Sequence, residues 1–238
     1  MVSFGSRSVQ ITSIIRHLKK VTTMPVVLYT DKVHKDLDTH QRIIPQDALL
    51  WRDSPRWGIR NCNLWSAKAC LEEFDSVCVL NDDMRIVHGA WVDGFQLAER
   101  FGCAVPLNPR IYVKYNAMGA DTSPQDLKNL GSDSPLYGPA CNVSPLFFSR
   151  KWSRAVEFME GYIECLKVCN RGTLAFWMAS WRTGFTPVYL PEQWCVCEGN
   201  AKYIRDYKKH LQGKDISIEP IMLHWGQKGV REAFPDVE

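Results

Sequence analysis

The chain has 238 residues, 45% of them hydrophobic, and a formal net charge of +3. That length suffices for one core, or one core with a small appendage. The charge is too slight to argue for nucleic acid, and no apolar run reaches the roughly 18 residues of a membrane span.

The elements predicted in chain order alternate strand with helix. Val2 to Phe4 is a short strand, Gly5 to Ser8 a turn, and Val9 to Lys20 a helix with Ile11, Ile14, Ile15 and Leu18 on one face. Pro25 to Tyr29 is a second strand, ending at Thr30 and Asp31. Asn61 to Phe74 reads as a helix through Leu64, Trp65, Ala67, Lys68 and Leu71, and Val77 to Leu80 as a buried strand. A helix over Ala90 to Phe101 and a short strand at Ala104 to Pro106 follow. Such units predict a mostly parallel central sheet flanked by helices, in one α/β domain spanning residues 1–238.

From Asn108 to Gly138 the pattern is expected to break into an irregular excursion, rich in Pro, Ser, Gly and Asp. Residues 116–138 of it are read as a mobile lid, since long loops in compact domains are usually functional. Order returns with a strand at Leu146 to Phe148 and helices over Trp152 to Cys169 and Thr173 to Arg182. Strands at Pro187 to Leu190 and Pro220 to His224 flank a helix over Ala201 to Leu211. Its basic residues, Lys202, Arg205, Lys208 and Lys209, with Lys214 beyond, are a solvated face or a weak membrane-surface contact.

Nine cysteines lack the paired spacing of a zinc site, and several lie in apolar runs as small buried hydrophobes do. With no targeting signal read at the N-terminus, a reduced, cytoplasmic setting is expected.

The most informative stretch is Asn81-Asp82-Asp83, at the end of the Val77 to Leu80 strand. Ligands of open α/β sheets sit at the carboxyl ends of strands, and adjacent carboxylates repel unless a cation or hydrogen-bond donors hold them. A hard divalent cation is the natural partner, and capping of a neighbouring helix is the plainer alternative. His224, at the end of another strand, is either an imidazole ligand or a core histidine bonded to a carbonyl.

In their order along the chain, these stretches resemble the GT-A fold glycosyltransferases, and most closely glycosyltransferase family 8, which includes glycogenin and the lipooligosaccharide galactosyltransferases. The resemblance covers nearly the whole chain. Val2 to Ser6 with Ile11 to Leu18 resembles the strand and helix that hold the nucleotide, and Pro25 to Asp31 the second strand. Leu80 to Ile86 is similar to the Asp-x-Asp strand, with Asn81 at its first aspartate. Cys141 to Phe148 with Lys151-Trp152 resembles a later strand and helix, and Leu223 to Lys228 the terminal His/Gly/Lys motif.

The resemblance implies a metal-dependent hexosyltransferase that uses a UDP-sugar, UDP-glucose being the first guess, and a glycan, lipid-linked or protein acceptor. Mn2+, or Mg2+, would be held by Asn81, Asp83 and His224. The nucleotide sugar would be bound by Phe4, Gly5, Ser6, Asp31, Arg60, Lys68, Asp82, Asn142, Gly226 and Lys228. The plainer alternatives are an ordinary strand-to-helix turn at Gly5 and Ser6, a solvated helix face for Arg60 and Lys68, and a turn or cap at Asn142. Trp57, Trp177, Trp194 and Trp225 are either sugar-stacking residues or core.

Two departures stand out. Asn170-Arg171-Gly172-Thr173 replaces the family's Asp-Gln pair, and the terminal motif is compressed. Retention or inversion at the anomeric carbon is therefore left open. The reacting-centre candidates are Asp133, ranked ahead of Asp121 as a base, and Glu192 and Gln193. The alternatives are a degenerate sugar-nucleotide-binding domain and, less favoured, a nucleotidyltransferase.

Overall fold

The computed structural model describes residues 2–3, 8–30, 33–44, 58–114, 137–169, 172–210 and 219–237. Strand β1 (Val2–Ser3) leads to helix α1 (Ser8–Val21), then to β2 (Val27–Thr30) and β3 (His40–Ile43). These three strands form a parallel sheet in the order β1-β2-β3. Ile11, Ile14, Ile15 and Leu18 of α1 are all buried, as their helical spacing predicts.

Helix α2 (Gly58–Leu71) leads to β4 (Ser76–Val79), and a tight turn to β5 (Met84–Ile86). A 3-10 turn (Gly89–Val92) feeds α3 (Asp93–Phe101), followed by the long strand β6 (Cys103–Lys114). Next come β7 (Tyr137–Cys141), β8 (Leu146–Ser149), and the helical pair α4 (Ser153–Val168) and α5 (Gly172–Thr183). The chain continues through β9 (Val188–Leu190), a 3-10 turn (Glu192–Trp194), α6 (Ala201–His210), β10 (Met222–His224) and α7 (Lys228–Ala233). Among the described residues no helix is long and apolar enough to cross a membrane.

The α/β layering matches expectation, but the pairing is mixed. β4-β8-β6-β7 run antiparallel to their neighbours, β9 joins β6 in parallel, and β5 pairs β10 antiparallel. Among the described residues the strands pair in parallel in β1-β2-β3 and at the β6-β9 edge, and a single parallel bridge joins Val196 to Leu223 of β10. Mixed sheets arise wherever an α/β chain returns by strands rather than only through helices. A second expectation also fails: the excursion does not begin at Asn108, because β6 runs on to Lys114 and pairs with Tyr137 to Cys141 across a register shift. Pro109 hid the continuation of this strand, and the shift between Leu107 and Tyr112 is where the ladder admits it. The lid expected over 116–138 lies mostly outside the described residues.

The central sheet is buried on both faces. Phe148, Cys103, Val105, Val77 and Val79 pack with α2, α4 and α5, while Phe147, Ala104 and Cys78 pack with Ile14 of α1, Ala98 of α3 and Trp194. Consecutive side chains of a strand point to opposite faces, so a strand covered twice is apolar throughout. At Gly94 of α3 an added Cβ would stand 2.6 Å from Phe147 Cε1 and Cε2 and closer still to Cζ, so only glycine lets the helix settle there. Cys103, Cys141, Cys165 and Cys169 sit within this core; burial pushes the Cys103 and Cys141 thiols well above their ordinary range.

Candidate active site

The acidic cluster falls in the turn between β4 and β5. The amide of Met84 donates to Asn81 O at 3.3 Å, which closes the turn. Asn81 is held twice more: its amide donates to Ser144 Oγ at 2.9 Å, and its side-chain oxygen accepts from Asn63 Nδ2 of α2 at 3.1 Å. Asp82 is buried. Asp83 begins the step into β5, where its neighbour Met84 faces His224 across the antiparallel ladder.

That pairing brings together two side chains 141 positions apart in sequence: His224 Nε2 lies 3.0 Å from Asp83 Oδ2. The backbone of β10 is fastened on both edges. β5 lies on one side; on the other, the amide of His224 donates to Val196 O at 2.8 Å and that of Ile221 to Gln193 O at 2.8 Å. Gly226 completes the contact. Its amide donates to Asp83 O at 3.2 Å, and an added Cβ would stand 2.8 Å from Asp83 Cβ. Any larger residue would push the carboxylate away from His224.

A cationic group lies behind the carboxylates. Arg85 is buried on β5, donating from Nη1 to Met84 O at 3.0 Å and from Nη2 to Ser13 Oγ of α1 at 2.6 Å. Burial lowers its pKa below the ordinary arginine value, and the field of Asp83 works against that shift. One helical turn along α1 from Ser13, His17 Nε2 lies 3.0 Å from the Ile86 amide nitrogen and 2.9 Å from Ile86 O. The free edge of β5 is thus covered by side chains of α1. Cys195, its thiol raised by burial and then by Cys197 and Asp83, donates to Ser144 O at 3.1 Å.

Asn142 sits where β7 ends, its amide bonded to Pro106 O at 2.8 Å, two positions before the Ser144 that holds Asn81. Lys228 is exposed at the start of α7, with Nζ 3.5 Å from Glu232. Glu192 Oε2 accepts from Asn200 Nδ2 at 3.3 Å, and Gln193 offers its carbonyl to the strand. Lys68 lies on the exposed face of α2, 2.6 Å from Glu160 of α4. Phe4, Gly5, Ser6, Asp31, Asp121, Asp133 and Trp57 lie outside the described residues, as does the side chain of Arg60. Trp194 is core rather than a sugar platform: it is buried, edge-on to Phe147 at 5.9 Å. Trp177 and Trp225 are partly buried against core clusters.

Asn63, Ser144, Arg85, His17 and Gln227 were not anticipated. None stands in a recognisable spacing; each acts through a partner far away in sequence.

Among the described residues no group of three His, Cys, Asp or Glu side chains forms a metal cluster. The pair that is present suits a hard cation. Two ligands at right angles, each about 2.1 Å from an ion, stand about 3 Å apart. The Asp83 to His224 separation of 3.0 Å is that of a hydrogen bond, and it is also the length of such an edge. The carboxylate oxygen suits manganese or magnesium and the imidazole nitrogen suits a transition ion, so the pair favours manganese, the remaining positions falling to substrate oxygens and water.

No protein-family profile and no curated protein matches the chain. Solved structures do. The chain superposes on WbbM, a bifunctional glycosyltransferase, with a TM-score of 0.57 at 15% identity, over 95% of this chain and 45% of that one. It superposes on the galactosyltransferase LgtC, solved in complex with donor and acceptor sugar analogues, with a TM-score of 0.58 at 10% identity, over 95% of this chain and 86% of that one. The chain therefore has the GT-A glycosyltransferase fold, and it spans less than half the length of WbbM.

Proposed function

We propose that the protein transfers a sugar, in the first instance glucose, from a UDP-sugar to a hydroxyl acceptor. A divalent cation would be held by Asp83 and His224, with the Asn81 amide oxygen as a further donor. The observation that carries this reading is the 3.0 Å approach of Asp83 to His224 at the junction of β5 and β10, with Gly226 pressed against the carboxylate. The cation would stabilise the charge that develops on the diphosphate leaving group as the glycosidic bond breaks.

The chain's own residues supply the rest. Gly226 lets backbone approach the diphosphate, and Lys228 faces it as a point charge. Arg85 contributes a buried positive charge behind Asp83, lowering the cost of keeping carboxylates together in the turn. Asn142 hydrogen-bonds sugar hydroxyls from the same end of the sheet. At the reacting centre Asp133 would take the acceptor proton in an inverting reaction. Glu192 or Gln193 would face the anomeric carbon in a retaining one.

The test is release of UDP from UDP-glucose, and then from other UDP-sugars, with manganese and with chelator. Release that requires manganese and an acceptor supports transfer; equal release in chelator sinks the cation assignment. An α-linked product from a UDP-α-sugar, read by proton NMR, would exclude Asp133 as base.

A second reading, a domain that binds sugar nucleotides without turning them over, draws on the Asn63 bond that occupies the Asn81 amide oxygen. Calorimetric binding of UDP with manganese, without release from any UDP-sugar, would favour it.

A further inference from the structure

The segment after β10 carries a run of hydrogen bonds whose direction is fixed at its far end. The backbone N–H of Glu198 donates to Gln227 Oε1. A backbone amide can only donate, so that end of the Gln227 side chain is the oxygen and the other is the NH2 group. The NH2 nitrogen lies 3.2 Å from His224 Nδ1. An amide NH2 likewise only donates, so Nδ1 accepts. A neutral imidazole has one protonated nitrogen and one acceptor, which puts the proton on Nε2, 3.0 Å from Asp83 Oδ2.

The packing leaves this arrangement little freedom. An added Cβ at Gly229 would stand 2.9 Å from Glu198 Cγ, so the Glu198 turn lies directly on the first turn of α7. That turn is closed by Cys197 N to Asn200 Oδ1 at 2.8 Å and Asn200 N to Cys197 O at 3.0 Å. Swapping the ends of the Gln227 amide would leave the Glu198 N–H facing an NH2 group.

We propose that Gln227 is a positioning residue that holds the His224 proton on Nε2, against Asp83, and thereby opposes cation uptake at that nitrogen. The inference deepens the reading above and rests on it for the cation. A histidine that ligates a metal through Nε2 gives its Nδ1 proton to an acceptor. Here that place is taken by a donor. Cation uptake therefore requires Nε2 to release its proton to solvent while Nδ1 gains one, the ring staying neutral. The Gln227 amide must then turn so that Oε1 meets Nδ1–H, which releases Glu198 N–H. The cation is coupled in this way to the Glu198 turn.

The test combines two readouts. The first is the imidazole 15N shifts of His224 in metal-free protein at about pH 8, above the ordinary imidazole range. The second is a manganese titration followed by the paramagnetic resonance of the free ion. Wild type is expected to carry the proton on Nε2. Gln227→Leu, of similar bulk but with no donor, leaves Asp83 alone to favour Nε2–H, so the Nε2–H fraction should fall and manganese should bind about threefold more tightly. Gln227→Glu still accepts from Glu198 and can also accept from Nδ1–H; it should bind about tenfold more tightly. A proton on Nδ1 in the wild-type protein overturns the proposal, and so does manganese affinity in Gln227→Leu equal to or weaker than that of wild type. If no variant binds manganese, while the Nε2–H fraction is lower in Gln227→Leu than in wild type, the cation assignment falls and the hold of Gln227 on the proton is upheld.

Discussion

The β4-β8-β6 sheet and the β5-β10 pair lie side by side in one fold but are held by different forces. The sheet is apolar on both faces, with Phe147 and Phe148 fully buried in opposite layers. The β5-β10 pair is two three-residue strands whose outer edges are closed by His17 and Arg85 on one side and by the 193–196 segment on the other. Burial is non-directional and tolerant, whereas hydrogen bonds between distant partners fix atoms to within tenths of an ångström. The comparison teaches that stability and placement are built in separate layers: the sheet supplies the first, and the short pair spends it on aiming Asp83 at His224.

The sharpest way to break that division is Asp83→Ala. It should lower sugar transfer about a thousandfold, as loss of a central charge-stabilising group does, and abolish manganese binding. The urea midpoint should fall only modestly: the side chain adds no apolar area to the core, though its loss takes an opposing charge from the buried Arg85. A large loss of stability would show that site and scaffold are one layer. Phe147→Ala is the converse. The ring meets Phe95 at 5.3 Å and Trp194 at 5.9 Å, both edge-on, and its removal should cost about 3–5 kcal/mol by urea denaturation. Manganese affinity of the remaining folded protein should be close to wild type.

Gly226→Ala tests the seam between the layers. The new methyl would need to displace Asp83, whose Cβ is 2.8 Å from where it must sit. A stability loss of about 1–3 kcal/mol is expected from overpacking, with manganese affinity falling at least about tenfold. Affinity unchanged would mean that the carboxylate has room to yield, and that the glycine is not what aims it.

The two layers were also unequally legible. The helices α1, α2, α4 and α5 and the strands β4 and β8 declare themselves through runs and spacings, because burial leaves a periodic trace in the sequence. Asn81, Asp82 and Asp83 were visible as an acidic break after an apolar strand, and His224 as the end of another. Their meeting was not visible, since it depends on an antiparallel pairing of three-residue strands across 141 positions. Ser144 and Asn63 left no trace, because a polar residue that bonds one distant atom looks like any other, and Gln227 passed as a filler position inside the Leu223 to Lys228 stretch. The strand β6 was cut short in the sequence by Pro109, and β3, with a polar outer face, was missed.

Acid should loosen the β5-β10 pair selectively. The pKa of His17 lies below the ordinary value of 6.5, first through burial and then through the field of Arg85. Above that value the imidazole is neutral in both folded and unfolded chains, and stability does not depend on it. As the pH falls below 6.5 the unfolded chain takes up a proton that the folded chain resists, so stability declines until the lowered pKa is passed. Urea midpoints between neutral and mildly acid pH should show this decline, and His17→Gln should flatten it. A slope unchanged in that variant would assign the acid sensitivity elsewhere.

The smallest effect is expected at Lys68. Its side chain is about half exposed, and its ammonium lies 2.6 Å from Glu160, joining α2 to α4 across the surface. An exposed pair of this kind contributes about 0.2–1 kcal/mol, because water screens the charges and two long side chains must be held still. Lys68→Ala should therefore shift the urea midpoint slightly and leave transfer within about twofold of wild type, the pair serving the scaffold layer alone. A rise in the Michaelis constant for the UDP-sugar with the turnover number unchanged would contradict this. It would mean that the lysine leaves Glu160 to meet the donor, as the resemblance implied, and that the boundary between the two layers runs through α2 rather than behind it.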